Sequence, residues 1–201
     1  MYSEDKIKDA LITLLSEKNL DKIKVSEIAE VANVSRVTFY KYFNDKESVL
    51  EQILTDFTAS LDQIFYNNVK ALNKIDFSDI NKIKSDLAPH AFEIVSFLYE
   101  KKELIQTLML PTTNTNILKI SYDKFYQQFK LWLPQKFQIN YDPKTLNQYS
   151  DFLTRGTALL LGTWFRKGFK QSPQEMTEIV INVLSPSLYN IYHRTYRSEN
   201  K

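Results

Sequence analysis

The chain lacks several features that whole classes of protein require. It contains no cysteine, which excludes disulfides, thiolate metal sites and cysteine nucleophiles and fits a reducing compartment. No apolar run approaches the roughly 20 residues of a membrane-spanning helix, and residues 1–9 are polar and charged rather than signal-like. We therefore expect a soluble, cytoplasmic protein that makes no membrane contact.

Glycine and proline are also scarce. Only 3 glycines and 6 prolines interrupt 201 residues, and no stretch sustains the alternation of apolar and polar residues that a strand requires. The hydrophobic fraction of 43% is sufficient for a real core. These features predict an all-α fold with long helices and few connections.

Signals for catalysis, cofactors or metals are missing as well. Gly156, Gly162 and Gly168 do not form a phosphate-binding loop. His90 and His193 have neither a carboxylate at ligand spacing nor a recognisable nucleophile beside them. We therefore expect no catalytic residue, no metal site and no cofactor.

The first fifty residues show the periodicity of short helices around a turn. One apolar stripe predicts a helix from about Glu4 to Lys18, and a second, shorter stripe follows it. Asn33 lies where the chain needs a left-handed residue, and Ser35 can cap the next helix. In that helix Phe39 and Phe43, four residues apart, share the inward face. The pattern predicts a helix-turn-helix.

Charge and pattern by themselves leave the function open. The net charge of +2 is too small to indicate nucleic-acid binding, so only the placement of the cations matters. From the pattern alone, a helix-turn-helix that binds DNA is only slightly favoured over a helical hairpin that binds another protein. A helical enzyme is a third alternative, and it would need a catalytic group that the sequence does not reveal.

The amino-acid sequence of this segment resembles that of the TetR family of transcriptional regulators. The resemblance rests on Val25-Ser26-Glu27-Ile28-Ala29, Ala32-Asn33-Val34-Ser35, Thr38-Phe39-Tyr40-Lys41-Tyr42-Phe43, and Lys46-Glu47 followed by Leu50. It implies a three-helix DNA-binding domain at residues 1–46, joined by a long helix to a helical ligand-binding and dimerisation domain at 47–201. The implied function is a ligand-responsive repressor that binds a palindromic double-stranded operator as a homodimer. The alternative is a helical co-regulator that works through a protein partner.

The resemblance also implies which side chains meet DNA. In the family the short helix that begins near Arg36 enters the major groove, and the residues matching Tyr40 and Lys46 hold phosphates. The predicted DNA-binding residues are Lys24, Ser35, Arg36, Val37, Thr38, Tyr40, Lys41, Tyr42 and Lys46. The chain departs from the family pattern at Asn33 and Val37, where glycine is usual, and at Lys24, where threonine is usual. Taken singly, each of these side chains could be a solvated charge or a half-buried aromatic.

The rest of the chain predicts long helices around an aromatic-rich core. A stripe from Leu50 to Phe65 continues the helix that starts near Lys46, without a flexible linker. The region from Phe77 to Pro134 predicts a packed core and, as a sharper hypothesis, an apolar cavity with a few polar groups. The predicted pocket for an unidentified small-molecule effector is Phe57, Leu61, Phe92, Phe97, Met109, Tyr122, Phe125, Phe129 and Trp164.

Two amphipathic helices are predicted after Asp142-Pro143, with a kink at Pro186. Two such helices build a four-helix interface when two-fold symmetry doubles them. The predicted interface residues are Leu160, Leu161, Trp164, Ile179, Val183, Leu184 and Leu188. Gly156 and Gly162 offer small surfaces for close helix packing.

A second, weaker resemblance concerns the C-terminal half. Gly162-Thr163-Trp164 and Ser172-Pro173-Gln174-Glu175 are similar to one C-terminal subtype of the TetR family. Some members of that subtype activate transcription together with a protein partner. The sign of regulation therefore stays open.

Overall fold

A computed structural model describes residues 3–113, 115–137 and 141–198 of the chain. Within these ranges the chain forms helices and turns and no β-strand, so the predicted all-α fold is confirmed. The helices are α1 (Ser3–Leu15), α2 (Val25–Val31), α3 (Arg36–Tyr42), α4 (Lys46–Leu72), α5 (Ile80–Glu100), α6 (Lys102–Leu108), α7 (Ile117–Phe137), α8 (Pro143–Arg166) and α9 (Pro173–Ser198). A 3-10 turn, Leu20–Lys22, lies between α1 and α2.

Contacts divide the chain into two compact units. The first comprises the described residues of Met1–Ser60 and Glu103–Ile117, and the second those of Leu61–Lys102 and Leu118–Lys201. The helix α4 is continuous, and its contacts pass from the first unit to the second after Ser60. The boundary predicted at residue 46 coincides with the start of α4. The contacts place the boundary later, because they group the first part of α4, up to Ser60, with the helix-turn-helix.

The first unit is held by an apolar centre and by the partly buried ammonium group of Lys8. Helices α1, α2 and α3 pack on one another around the fully buried side chains of Ile7, Leu11, Leu15, Ile28 and Phe39. The Lys8 ammonium donates to the carboxylates of Asp56, at 2.9 Å, and Glu4, at 3.2 Å, which ties α1 to α4. Burial would lower the pKa of Lys8, but the hydrogen bonds to Asp56 and Glu4 outweigh it and raise the pKa above its usual range.

The second unit consists of long helices, with α5 and α8 both packed against α9. Pro89 and Pro186 lie inside α5 and α9. Helix α8 ends at Arg166, and Gly168 follows with a φ of 76°. Phe169 also has a positive φ, 56°, and its ring packs on that of Trp164 with centroids 4.7 Å apart. This packing holds a conformation that is costly for a non-glycine residue.

Candidate nucleic-acid interface and internal cavity

The turn between α2 and α3 has the hydrogen bonds of a Schellman motif. The Asn33 amide donates to the Glu30 carbonyl at 3.0 Å, and the Val34 amide donates to the Ala29 carbonyl at 2.9 Å. Asn33 has a φ of 51°, the left-handed conformation predicted for it. Asparagine tolerates this region better than most non-glycine residues, so the turn forms without the glycine that is usual in the family.

Side chains begin both helices of the motif. At α3 the Ser35 hydroxyl accepts a hydrogen bond from the Thr38 amide at 2.9 Å and lies 2.8 Å from the Thr38 hydroxyl, which confirms the predicted cap. At α2 the Glu27 carboxylate accepts from the Lys24 amide at 2.8 Å, as expected. Glu27 also accepts from the Lys18 ammonium at 2.6 Å, a contact the sequence did not predict. The hydrogen bonds from Lys18 and the Lys24 amide lower the pKa of Glu27.

The two faces of α3 differ sharply in exposure. Phe39 is fully buried and Phe43 nearly so. On the other side Val37 is 82% exposed, Tyr40 50% and Tyr42 43%. The inward and outward assignments made from the sequence are thus confirmed as positions.

Four exposed cations lie in or just before the two helices of the motif: Lys22 and Lys24 precede α2, and Arg36 and Lys41 belong to α3. Among the described residues, no carboxylate forms an ion pair with Lys22, Lys24, Arg36 or Lys41. All of these side chains are exposed. Their charges are therefore available to an external anion, although acidic residues outnumber basic ones in the first unit as a whole.

Lys46 differs from these cations because its ammonium already has partners inside the chain. It donates to the carbonyls of Asp21 and Ile23, both at 3.0 Å, and its side chain is only 17% exposed. We call this contact the Lys46 clasp. It fastens the start of α4 to the 3-10 turn before α2, a long-range contact that no sequence signal revealed. One N–H of the ammonium remains for another acceptor.

An internal cavity of about 120 Å³ lies in the second unit. Helices α4, α5, α7, α8 and α9 all contribute to its wall. The aromatic part of the wall consists of Phe65, Phe125, Phe129 and Trp132, and the polar part of Asn68, His90, Gln128 and Thr157. The remaining lining side chains are aliphatic, and the surface that the wall presents to the cavity is apolar.

The polar part of the wall is organised by Asn68. Asn68 is only 5% exposed, and its amide nitrogen donates to the Glu93 carboxylate at 2.8 Å. Its carbonyl oxygen then has to accept from Nδ1–H of His90, the other group in hydrogen-bond contact with it. In neutral His90 this arrangement leaves Nε2 as a hydrogen-bond acceptor.

Of the residues predicted to form a pocket, Phe125 and Phe129 line this cavity. The others lie elsewhere: Phe57 and Leu61 are buried away from it, Phe92 is 38% exposed, the Tyr122 hydroxyl donates to Asp151, Trp164 packs on Phe169, and Phe97 and Met109 are not in the wall. The sequence missed most of the wall, including Trp132 and the polar groups. Aromatic density locates the region, but it does not determine which side of each helix faces a void.

The residues predicted for a dimer interface also occupy different environments. Leu161, Leu184 and Leu188 line the cavity, and Trp164 is 1% exposed, so these four are buried within a single chain. Leu160 and Ile179 are half-buried, and Val183 is 51% exposed. Only the last three have surface to offer a partner.

An exposed apolar face on α8 was not recognised from the sequence. Phe152 is 68% exposed and Leu159 66%, and Gly156 lies between them. No described atom lies within 4 Å of the position that a Cβ on Gly156 would occupy, whereas Gly162 approaches the Leu118 side chain to 3.4 Å. Close packing is therefore found at Gly162 and not, within one chain, at Gly156.

Among the residues that the structure describes, no group of three or more histidine, aspartate or glutamate side chains is arranged to hold a metal ion. None of the described helices combines the length and apolarity needed to cross a bilayer.

Comparisons with known proteins point in one direction. Residues 7–53 match a family model described as bacterial regulatory proteins, tetR family, and residues 85–186 match one described as transcriptional regulator C-terminal region. The first match covers the helix-turn-helix and the start of α4. The second covers most of the second unit.

Curated relatives carry related descriptions. The uncharacterized HTH-type transcriptional regulator YxbF of Bacillus subtilis (strain 168) is 25% identical over 183 residues, which are 91% of this chain and 45% of that protein. The regulator YvdT of the same strain is 41% identical over 61 residues, 30% of this chain and 31% of YvdT. The chain thus spans less than half the length of these two relatives. IcaR of Staphylococcus aureus (strain Newman), named a negative transcriptional regulator of a biofilm operon, is 26% identical over 82% of this chain and 83% of its own.

Solved structures support the fold. The Pseudomonas aeruginosa repressor NalD matches with a TM-score of 0.60 at 20% identity, over 92% of this chain and 96% of its own. FadR from Bacillus subtilis, solved with stearoyl-CoA, matches with a TM-score of 0.57 at 19% identity, over 90% and 97%. The dihydroxyacetone kinase operon activator DhaS matches with a TM-score of 0.59 at 15% identity, over 92% and 96%.

Proposed function

The chain belongs to the TetR family of bacterial transcriptional regulators, and from this premise we propose that it is a repressor that binds operator DNA as a homodimer and responds to a small molecule. The observation that carries DNA binding is the outward face of α3. Ser35 caps the start of that helix, and the outward face carries the exposed side chains of Arg36, Val37, Tyr40, Lys41 and Tyr42.

The roles of the individual residues follow from their chemistry. Arg36 and Lys41 suit hydrogen bonds to base edges or phosphates, and the Val37 methyl groups suit contact with a thymine methyl. The Tyr40 hydroxyl suits a phosphate. Ser35 and Thr38 already hydrogen-bond to each other, so we assign them mainly to the start of the helix.

A homodimer would place two copies of α3 on one DNA duplex, one helical turn apart. The support within the chain is the exposed apolar surface on the last two helices, formed by Phe152, Leu159 and Val183. A two-fold axis that pairs this surface with its own copy would cover it from water. Such an interface would also bring a partner helix to the open side of Gly156.

The cavity supports the response to a ligand. A ligand acts on DNA affinity only when it binds the DNA-competent and incompetent forms with different strength, and the effect is reciprocal. We expect a coupling of about 5- to 150-fold, which is typical of such switches. The cavity holds no nucleophile with an adjacent base, so the proposal assigns it binding and not catalysis.

A second candidate function is activation together with a protein partner. It is favoured by the weak resemblance of the C-terminal half to a subtype with activators and by the fold shared with DhaS, an operon activator. The two candidates share DNA binding and differ in the effect on transcription. A reporter gene placed behind the bound promoter distinguishes them.

The direct test is binding to DNA from the promoter region of the protein's own gene, measured by fluorescence anisotropy at several salt concentrations. We expect saturable binding that falls steeply with salt and exceeds binding to a shuffled sequence by roughly a thousandfold or more. Arg36→Ala should weaken specific binding by about tenfold or more and alter base preference. Lys82→Ala, which removes a cation of the second unit, is the matched control. Equal binding to shuffled and promoter DNA would contradict the proposal.

A further inference from the structure

We propose that the cavity of the second unit binds a small hydrocarbon ring, an uncharged molecule of about the size of benzene or toluene that carries no hydrogen-bonding group. The inference rests on the proposed ligand response and names the chemical class of the effector. Three properties of the cavity support it: its size, its lack of polar surface and the arrangement of the rings in its wall.

The volume of the cavity admits a single six-membered ring. An engineered cavity of roughly 150 Å³ lined by Leu, Ile and Phe binds benzene in another protein, and the cavity here measures about 120 Å³. A long acyl chain with a nucleotide head, such as the stearoyl-CoA in the structure of FadR, would require the helices to separate. The space that exists therefore limits a guest to one ring with small substituents.

The wall of the cavity presents carbon atoms to a guest. It contains no lysine, arginine, aspartate or glutamate, and none of its residues exposes a polar atom to the cavity. The amide group of Asn68 is engaged inside the chain, because its nitrogen donates to Glu93 and its oxygen accepts from His90. A hydroxyl placed in the cavity would have no partner, and a carboxylate would lose its hydration without gaining a counter-charge. The wall therefore selects against polar and charged molecules.

The same lack of polar surface disfavours water as the occupant. A buried water typically makes about three hydrogen bonds to polar groups of the protein, and this wall offers it no exposed polar atom. An empty cavity deprives the surrounding side chains of dispersion contacts on one side. An apolar guest restores those contacts and has no bound water to displace. Occupation by a hydrocarbon should therefore be favourable.

The rings of the wall can pack against a flat guest. Phe65 of α4 meets Phe125 of α7 edge to face, with ring centroids 5.4 Å apart. Phe129 and Trp132 of α7 meet in the same way, with centroids 6.4 Å apart. Aromatic rings favour such perpendicular contacts at centroid separations of about 4.5–7 Å. A benzene ring in the cavity can extend this cluster, so benzene and toluene are the probes that suit the wall best.

The test uses the full chain and three probes of similar size: toluene, phenol and benzoate. Phenol carries a hydroxyl where toluene has a methyl group, so the two probes differ in polarity and hardly in shape. Affinities come from calorimetry at neutral pH. We expect toluene to bind at least about fivefold more tightly than phenol, because the buried hydroxyl has no partner, and benzoate to bind more weakly still. A chain that binds phenol or benzoate as tightly as toluene, or binds none of the three, would overturn the proposal.

A leucine pair in α8 tests whether the guest occupies this cavity. Leu161 is in the wall, whereas Leu153 is equally buried and lies outside it. Leu161→Ala enlarges the cavity, so this variant should bind naphthalene, which is too large for the parent chain. Leu153→Ala is the matched control and should not gain that binding. Naphthalene binding by the parent chain, or its absence in a folded Leu161→Ala variant, would contradict the proposed site.

An alanine pair in α5 gives the opposite test. Ala91 is in the wall, and Ala88, about one turn earlier and also half-buried, is not. Ala91→Leu should weaken toluene binding at least about tenfold, because the added side chain occupies the space. Ala88→Leu should leave toluene binding unchanged. Thermal melts establish that the variants fold, and the probe series and the leucine pair decide the question if Ala91→Leu does not.

Operator affinity is measured separately with and without toluene. Toluene that occupies the cavity and leaves operator affinity unchanged would remove the proposed ligand response and leave the ligand class intact. Operator release caused by benzoate and not by toluene would overturn the ligand class and support the response.

Discussion

The two compact units differ in whether their polar groups have hydrogen-bond partners. In the first unit, Ser35, Glu27 and Lys46 all hydrogen-bond to backbone groups that the fold would otherwise leave unpaired. In the second unit, buried polar atoms without a partner among the described residues include the hydroxyls of Ser150 and Ser185 and the indole nitrogen of Trp132. All atoms of this kind that the structure describes fall in the second unit.

This difference indicates how each unit works. An unpaired buried polar atom costs about 1–3 kcal/mol, so a fold keeps few of them unless something else satisfies them. The first unit is complete by itself and presents a preformed outer surface. The second unit has an apolar cavity and unpaired polar atoms inside and apolar surface outside, which suits a part of the protein that completes itself with a ligand and with a second copy.

The largest effect should come from the centre of the first unit. Phe39 is fully buried and packs against Phe43, with ring centroids 6.1 Å apart. Phe39→Ala should lower the free energy of unfolding by about 3–5 kcal/mol, measured by urea denaturation followed by circular dichroism. Tyr40→Ala, on the exposed side, is the control and should change stability little. A small loss at Phe39 would mean that the first unit is less rigid than its packing indicates.

The outer surface of the second unit provides the next effect. Val183→Glu should weaken self-association about a thousandfold, because a charge buried without a partner in an apolar interface costs several kcal/mol. Analytical ultracentrifugation over a range of concentrations measures it. Val31→Glu, at a valine of similar exposure in the first unit, should leave the dimer intact. A parent chain that is monomeric at micromolar concentration would contradict both the dimer and the comparison of the two units.

A substitution at Lys46 tests whether this side chain stabilises the first unit in the absence of DNA. A phosphate contact predicts that Lys46→Ala weakens binding to all sequences equally and lowers the salt slope by roughly one. The Lys46 clasp predicts in addition a loss of stability without DNA, since two hydrogen bonds to carbonyls disappear. Anisotropy across salt concentrations and thermal melts of the free protein separate the two effects. An unchanged salt slope would assign Lys46 to the clasp only.

Two serines form a matched pair with opposite expectations. Ser35→Ala should destabilise the protein by about 1 kcal/mol, because the Thr38 amide loses its capping acceptor. Ser185 is fully buried in α9, and its hydroxyl has no described partner, so Ser185→Ala should be neutral or stabilising. Urea denaturation of both variants gives the comparison directly. A clear loss at Ser185 would reveal a partner, such as a buried water.

The smallest effect is a pH dependence at Glu27. Its pKa is lowered by hydrogen bonds from Lys18 and the Lys24 amide, so its contribution to stability is present above the pKa of the unfolded chain and disappears as the pH falls through the lowered folded pKa. The stability difference between the parent chain and Glu27→Gln should therefore be constant near neutral pH and shrink in acid. Glu30→Gln, at an exposed glutamate of α2, is the control. An equal shrinkage in the control would mean that Glu27 has no special role.

Local chemistry explains why the helix-turn-helix was predictable. Asn33, Ser35 and Glu27 act on backbone groups within a few residues, so their roles are encoded in the order of the chain. The inward positions of Phe39 and Phe43 follow from helical spacing. The Lys46 clasp could not be predicted in the same way, because it joins groups more than twenty residues apart.

The second unit was predictable as a class of structure and not residue by residue. Leu161, Leu184 and Leu188 were predicted to lie in a dimer interface, but they line the cavity instead. Periodicity marks an apolar helix face and does not say whether that face meets a cavity, a neighbouring helix or a partner chain. Phe152 and Leu159 were passed over because an exposed apolar residue has the same sequence signal as a buried one. The cavity itself depends on how five helices pack, which no local pattern encodes.

The continuity of α4 has a consequence for building hybrid regulators. Exchanging the C-terminal part of the chain at residue 46, where the helix-turn-helix ends and α4 begins, would give Lys8 a foreign residue in place of Asp56, its partner at 2.9 Å. The junction would also fall at the Lys46 clasp, so the residues that follow Lys46 in α4 would come from the other protein. A junction after Ser60 keeps both contacts within the protein that contributes the helix-turn-helix. The modular unit for such engineering is therefore the helix-turn-helix with the first part of α4 attached.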